Sequence, residues 1–184
     1  MKNFFPLVML TSFSLLQGLP QQILLLQGEE TVLDKEQKYK LSTIGYERAG
    51  ALPFKILNDK NILSQYPKFL FAAKVPEKNN VYTLFLKPLS KLLEIDINEN
   101  FALGQEEKLV DFILKSSDLT NQAVVIAWAP EKIDDLLKAF KVDDVKNKWA
   151  KDTFDRFYIL TFDENGKASL VDLPQKLLFK DHSE

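Results

Sequence analysis

A chain of 184 residues, 46% hydrophobic and 27% charged, fits one soluble domain with a real core and excludes a disordered chain or a multi-span membrane protein. Its net charge of −2, with lysine and acid interleaved, leaves no basic stripe for a phosphate backbone, which disfavours nucleic-acid binding. The absence of cysteine removes disulfides, thiolate nucleophiles and cysteine-ligated metals, and a single histidine with only Arg48 and Arg156 is a poor stock for phosphate chemistry.

Met1-Lys2-Asn3 opens onto an apolar run from Phe4 to Leu16. About 13 residues is the length of a signal-peptide apolar region and too short for a bilayer span. The expectation is a leader over 1–19, with Gly18 as a small residue near its end, and one domain over 20–184. That implies an exported protein, periplasmic or secreted; a buried N-terminal arm on a cytoplasmic protein is the alternative.

Ile23 to Leu26 predicts a strand covered on both faces. A charged loop, Glu29 to Lys40, leads to Ser42-Thr43-Ile44-Gly45, which opens a helix to about Leu57. Tyr46, Ala49 and Leu52 fall on one side of it, and Pro53 is expected to break or kink it late. Phe69 to Ala72 is a second short strand. Tyr82 to Leu93 predicts a helix with Phe85, Leu89, Leu92 and Leu93 along one stripe, Pro88 kinking it or marking its true start. Glu106 to Lys115 predicts a helix burying Leu109, Phe112 and Ile113, and Ala123 to Trp128 a third buried strand. Ile133, Leu136, Leu137 and Phe140 then recur at i, i+3, i+4 and i+7. Phe157 to Phe162 and Ala168 to Val171 flank Asp163-Glu164-Asn165-Gly166, where Asn-Gly suits the positive φ angles of a tight hairpin turn. Strands alternating with helices indicate an α/β domain with a mostly parallel sheet and an antiparallel edge.

In order, these segments resemble the histidine phosphatase superfamily in its phosphoglycerate-mutase-like branch. That family begins with an apolar strand running into Arg-His-Gly-Glu, and here the strand runs into Leu26-Gln27-Gly28-Glu29. Leu41-Ser42-Thr43-Ile44-Gly45-Tyr46-Glu47-Arg48-Ala49 resembles the family's helix start, and Pro88-Leu89-Ser90-Lys91-Leu92-Leu93 the helix after its second active-site segment. Val124-Val125-Ile126-Ala127-Trp128 resembles the strand before the second catalytic histidine, and Phe154-Asp155-Arg156-Phe157-Tyr158-Ile159-Leu160 the late strand. The resemblance spans roughly Gln22 to Leu178 and implies a three-layer α/β/α domain.

It also implies a pocket without its chemistry. The family's first arginine is replaced by Leu26, its nucleophilic histidine by Gln27 and its second histidine by Ala129, while counting back from Pro88 puts Val81 at the second arginine. An amide forms no phospho-enzyme, and no fixed cation is left to stabilise charge on the phosphoryl oxygens. The expectation is a non-catalytic member with no metal or cofactor, which binds a protein or a neutral small molecule. Gln27, Gly28, Glu29, Asn79, Asn80, Tyr82, Thr83 and Trp128 would line the remnant pocket. The alternative is relocated chemistry at Glu29, a hydrolase acting on a phosphorylated or neutral small molecule.

Other groups have plainer accounts. Glu29, Glu30 and Asp34 form an acidic pattern most simply read as a solvated loop. Asp96, Asn98, Asn100 and Glu107 sit at calcium-loop positions, but Phe101 stands where that loop needs glycine. Lys146, Lys148 and Lys151 around Trp149 read as a solvated loop with one anchoring aromatic, Asp143-Asp144 as a turn, and His182 as a residue of a polar tail.

Overall fold

A computed structural model of the chain describes residues 18–27, 40–75, 80–143, 153–179 and 181. The leader to residue 17, Gly28, Glu29, Glu30, Asp34, Asn79, Asp144, Lys146, Lys148, Trp149, Lys151 and His182 lie outside the described residues. Residues 18–21 run beside 120–122: the Leu19 carbonyl accepts from the Asn121 amide at 2.9 Å, and the Gly18 carbonyl from the Thr120 hydroxyl at 2.9 Å.

Six strands form one sheet: β1 (Gln22–Gln27), β2 (Pro67–Ala72), β3 (Ile97–Asn98), β4 (Ala123–Trp128), β5 (Arg156–Phe162) and β6 (Ala168–Pro174). Their order is β3-β2-β4-β1-β5-β6. The first four run parallel, and β5 and β6 add antiparallel pairings at the far edge. The central strands β1 and β4 are the near-continuous apolar runs, as sheets covered on both faces require.

Handedness places the helices. The chain steps the same way across the sheet from β1 through α1 (Thr43–Asn58) to β2 and from β2 through α2 (Val81–Leu93) to β3. It then steps back through α3 (Glu106–Lys115) to β4 and onward through α4 (Pro130–Ala139). Right-handed crossovers put α1 and α2 on one face and α3 on the other; α4 leads to an antiparallel strand and joins the second face by packing on α3, as α1 packs on α2. This is the expected three-layer α/β arrangement with a mostly parallel sheet.

Local differences from the sequence expectations have physical reasons. Helix α1, opened by the Ser42 hydroxyl accepting from the Gly45 amide at 2.9 Å, runs through Pro53 to Asn58. Leu52 and Ile56 on either side of the proline are anchored in the core, so packing overrides the lost hydrogen bond. The buried face of α1 is Gly45, Arg48, Ala49, Leu52 and Ile56, which leaves Tyr46 49% exposed rather than on the apolar side. Pro88 neither starts nor ends α2. Asn80 sets the start, its Oδ1 accepting from the Tyr82 and Thr83 amides at 3.1 and 3.4 Å. Leu92 points away from the core stripe and is 60% exposed.

Ile97–Asn98, to which the sequence pattern assigned no element, is the short edge strand β3 paired with Leu70 and Phe71. The hairpin also differs from a two-residue tight turn. Gly166 takes positive φ (77°) and Asn165 does not, and the Asp163 carbonyl accepts from the Gly166 amide while its amide donates to the Lys167 carbonyl. That is the pattern of a longer hairpin loop closed by a left-handed glycine. Gly166→Ala places a Cβ 3.4 Å from Leu19 Cδ1, which fits, so backbone strain alone remains. The expected cost is about 1 kcal/mol, a fall in melting temperature of roughly 2–4 °C by calorimetry.

Candidate functional site

Helices α1 and α4 leave the C-terminal ends of the adjacent strands β1 and β4 on opposite faces of the sheet. Such a switch point opens a crevice where open α/β sheets bind ligands. Register brings the sequence-predicted residues together there. Gln27 pairs with Trp128 and Leu26 with Ala127. The Ala127 carbonyl accepts from the Ala73 amide at 3.1 Å, and the Ala73 carbonyl accepts from Asn80 Nδ2 at 2.7 Å. Ala129 is the residue before α4 and Val81 the first of α2. Thus the ends of β1, β2 and β4 and the start of α2 meet at one place.

Among the described residues, most of the positions singled out here from the sequence are buried and uncharged. Leu26, Gln27, Val81, Tyr82, Trp128 and Ala129 are all buried, Val81 the most exposed at 6%. Asn80 is spent on structure: besides capping α2, its Nδ2 also reaches Glu99 Oε1 at 3.0 Å. The Thr83 hydroxyl donates to the same Glu99 oxygen.

Glu106, which the sequence marked only as the start of a helix, stands beside this group. Its Oε1 accepts from Trp128 Nε1 at 3.0 Å and from the Gly104 amide at 2.9 Å, and the residue is buried. A carboxylate in the first turn of a helix is ordinary in a sequence. The signal that could have marked this one is Trp128, whose indole N–H needs an acceptor once the strand end is buried.

Both arginines are held by acids. Arg48 grips Asp181 through both guanidinium nitrogens at 2.9 Å and also reaches Gln175 Oε1 at 3.2 Å. Arg156 Nε meets Asp172 at 2.7 Å. Lys132, at the start of α4, is engaged by Asp135 at 3.0 Å; that hydrogen bond and the Asp135 charge hold its ammonium above the usual range, with Glu106 adding to the effect. Burial pushes the Tyr158 phenol up to about 12, with the charges of Asp172 and Asp134 acting the same way and Arg156 against. That phenol is no source of phenolate near neutral pH.

The calcium-loop pattern does not assemble. Glu107 lines a cavity between α3 and α4, whereas Asp96, Asn98 and Asn100 lie at the β3 edge, where Asn98 Oδ1 accepts from the Asn100 amide at 2.9 Å. No cluster of acidic or histidine side chains suited to a metal occurs among the described residues. No helix among them is long and apolar enough to cross a membrane.

This topology, with its crevice at β1 and β4, defines a phosphoglycerate-mutase-like α/β fold, the fold of the histidine phosphatases. Solved structures of that class match the chain. The putative phosphohistidine phosphatase SixA from Agrobacterium tumefaciens superposes with a TM-score of 0.57 at 14% identity, over 84% of this chain and 97% of its own. A protein histidine phosphatase SixA complexed with tungstate gives 0.57 at 12% identity, over 84% and 97%. Phosphoglycerate mutase from Plasmodium falciparum gives 0.55 at 14% identity, over 91% and 98%. No family model and no curated protein matches the sequence.

Proposed function

We propose that this chain is a non-catalytic protein on the histidine-phosphatase fold, one that binds a protein or a neutral small molecule and does not turn over phosphate esters. The observation that carries this reading is the crevice itself. Where phosphoryl transfer needs a nucleophile and fixed cations, the strand ends present Leu26, Gln27 and Ala129, with Val81 opening α2, all of them buried and uncharged. A carboxamide is too weak a nucleophile to accept a phosphoryl group. The commitment of Arg48 to Asp181 and of Arg156 to Asp172 supports the same conclusion.

The test is an assay of the pure chain with an aryl phosphate and a phosphohistidine peptide, beside calorimetric titration with tungstate, an oxyanion that mimics phosphate. The expected result is no turnover above buffer and no heat of tungstate binding. Turnover by the pure protein overturns the reading, and its loss in Glu29→Gln would then locate relocated chemistry at that residue.

A further inference from the structure

Away from the crevice, the β3 edge of the sheet carries a concavity of about 450 Å³, bounded by β2, the segment around β3, the end of α3 and the 3-10 turn Ser117–Leu119. Its floor is apolar: Phe69 and Phe71 from β2, Ile97 from β3 and Phe112 from α3. The sequence pattern predicted Phe112 as a core residue. It is instead 42% exposed, because its ring leans on the edge of the core, 6.1 Å from the Phe71 ring and 5.5 Å from Phe101, and turns its remaining surface outward.

The wall above that floor carries three carboxylates, Asp96, Glu99 and Asp118, against one ammonium, Lys68. Among the described residues no lysine or arginine forms a salt bridge with any of the three. Glu99 accepts from Asn80 and Thr83, which leaves its charge in place. Three carboxylates against one ammonium over a low-dielectric wall concentrate a negative potential in the concavity. Floor and wall therefore select one kind of ligand, a positive charge on an apolar body. A bare metal ion would have no use for the phenyl floor.

We infer that this concavity binds an organic ammonium ion with an aromatic or branched body, its charge met by Asp96, Glu99 and Asp118 and its body laid on Phe69 and Phe112. Glu99, through Asn80 and Thr83, links this site to the start of α2 at the crevice, but the site stands whether or not the crevice has chemistry.

The test is a titration of the full chain with benzyltrimethylammonium at low ionic strength, followed by amide chemical shifts. Benzyl alcohol and phenylacetate, which keep the ring without the positive charge, run beside it. Saturable binding is expected for the ammonium alone, with shifts confined to 68–71, 95–100 and 112–119 and an affinity that falls with salt. Asp96→Asn with Asp118→Asn, both at exposed positions, is expected to weaken binding about ten-fold with melting unchanged. Phe112→Ala is expected to weaken it independently. Equal affinity for the three probes, shifts elsewhere in the protein, or no saturation would overturn the assignment. Binding of a lysine-rich peptide without binding of the small ammonium would also overturn it, in favour of a protein partner.

Discussion

Arg48→Leu is expected to lower the unfolding free energy by about 3–5 kcal/mol, the usual consequence of removing one partner from a buried ion pair. Arg48 and Asp181 side chains are each only 6% exposed, and their contact is bidentate. Asp181 also accepts from the Leu177 and Leu178 amides at 2.8 and 3.0 Å, so one carboxylate ties the chain end to α1. Urea denaturation measures the loss. Arg48→Leu with Asp181→Leu together is expected to regain much of it, because the penalty comes from a stranded charge rather than from a missing attraction.

The pH dependence separates the two causes. Burial acts to raise the Asp181 carboxyl, but the Arg48 hydrogen bonds, the Leu178 and Leu177 amides and the Arg48 charge outweigh it, and the group sits below the usual carboxylate range. A depressed folded pKa contributes stability that is present above the unfolded value and is lost as pH falls through the folded one. The native chain should therefore lose this contribution in acid. In Arg48→Leu only the Leu177 and Leu178 amides still oppose burial, so the carboxyl should rise relative to the native chain and the loss of stability in acid should shrink. A variant with the native acid profile would show that the pair contributes nothing at this site.

How much of this could be read from the sequence depends on how local the cause is. The strands β1 and β4 and the helices α3 and α4 were visible because apolar runs and helical spacing are written over adjacent residues. The effect of the prolines could not be read for the opposite reason. Whether Pro53 or Pro88 ends a helix depends on what Leu52, Ile56, Phe85 and Leu89 pack against, which no local window contains. The edge strand β3 is two residues long and has no period to detect. At the crevice, Leu26, Gln27 and Ala129 could be singled out because strand ends carry them, and the register sets Gln27 beside Trp128, the residue before Ala129. The partners that fill and brace that region were out of reach, since Trp128 meets Glu106 from 22 positions away and Arg48 meets Asp181 from 133.

Trp128→Ala is expected to cost about 3–5 kcal/mol, among the larger single-residue effects in the chain, since it empties a fully buried indole from the end of the central strand. The cavity is only part of that. The indole N–H is also one of two donors to the buried Glu106 Oε1, the other being the Gly104 amide. Trp128→Phe keeps most of the volume and removes the donor, so its expected cost of about 1–3 kcal/mol isolates the hydrogen bond. Glu106→Gln keeps an acceptor oxygen for both donors and should cost less than Trp128→Phe, measured side by side in urea. If Glu106→Gln is instead the worse of the two, the carboxylate's charge is what the crevice requires. Because Gln27 is the registered neighbour of Trp128, that outcome would place an anionic group next to Gln27. The proposed lack of phosphate binding would then follow from repulsion of the substrate as well as from the missing cations.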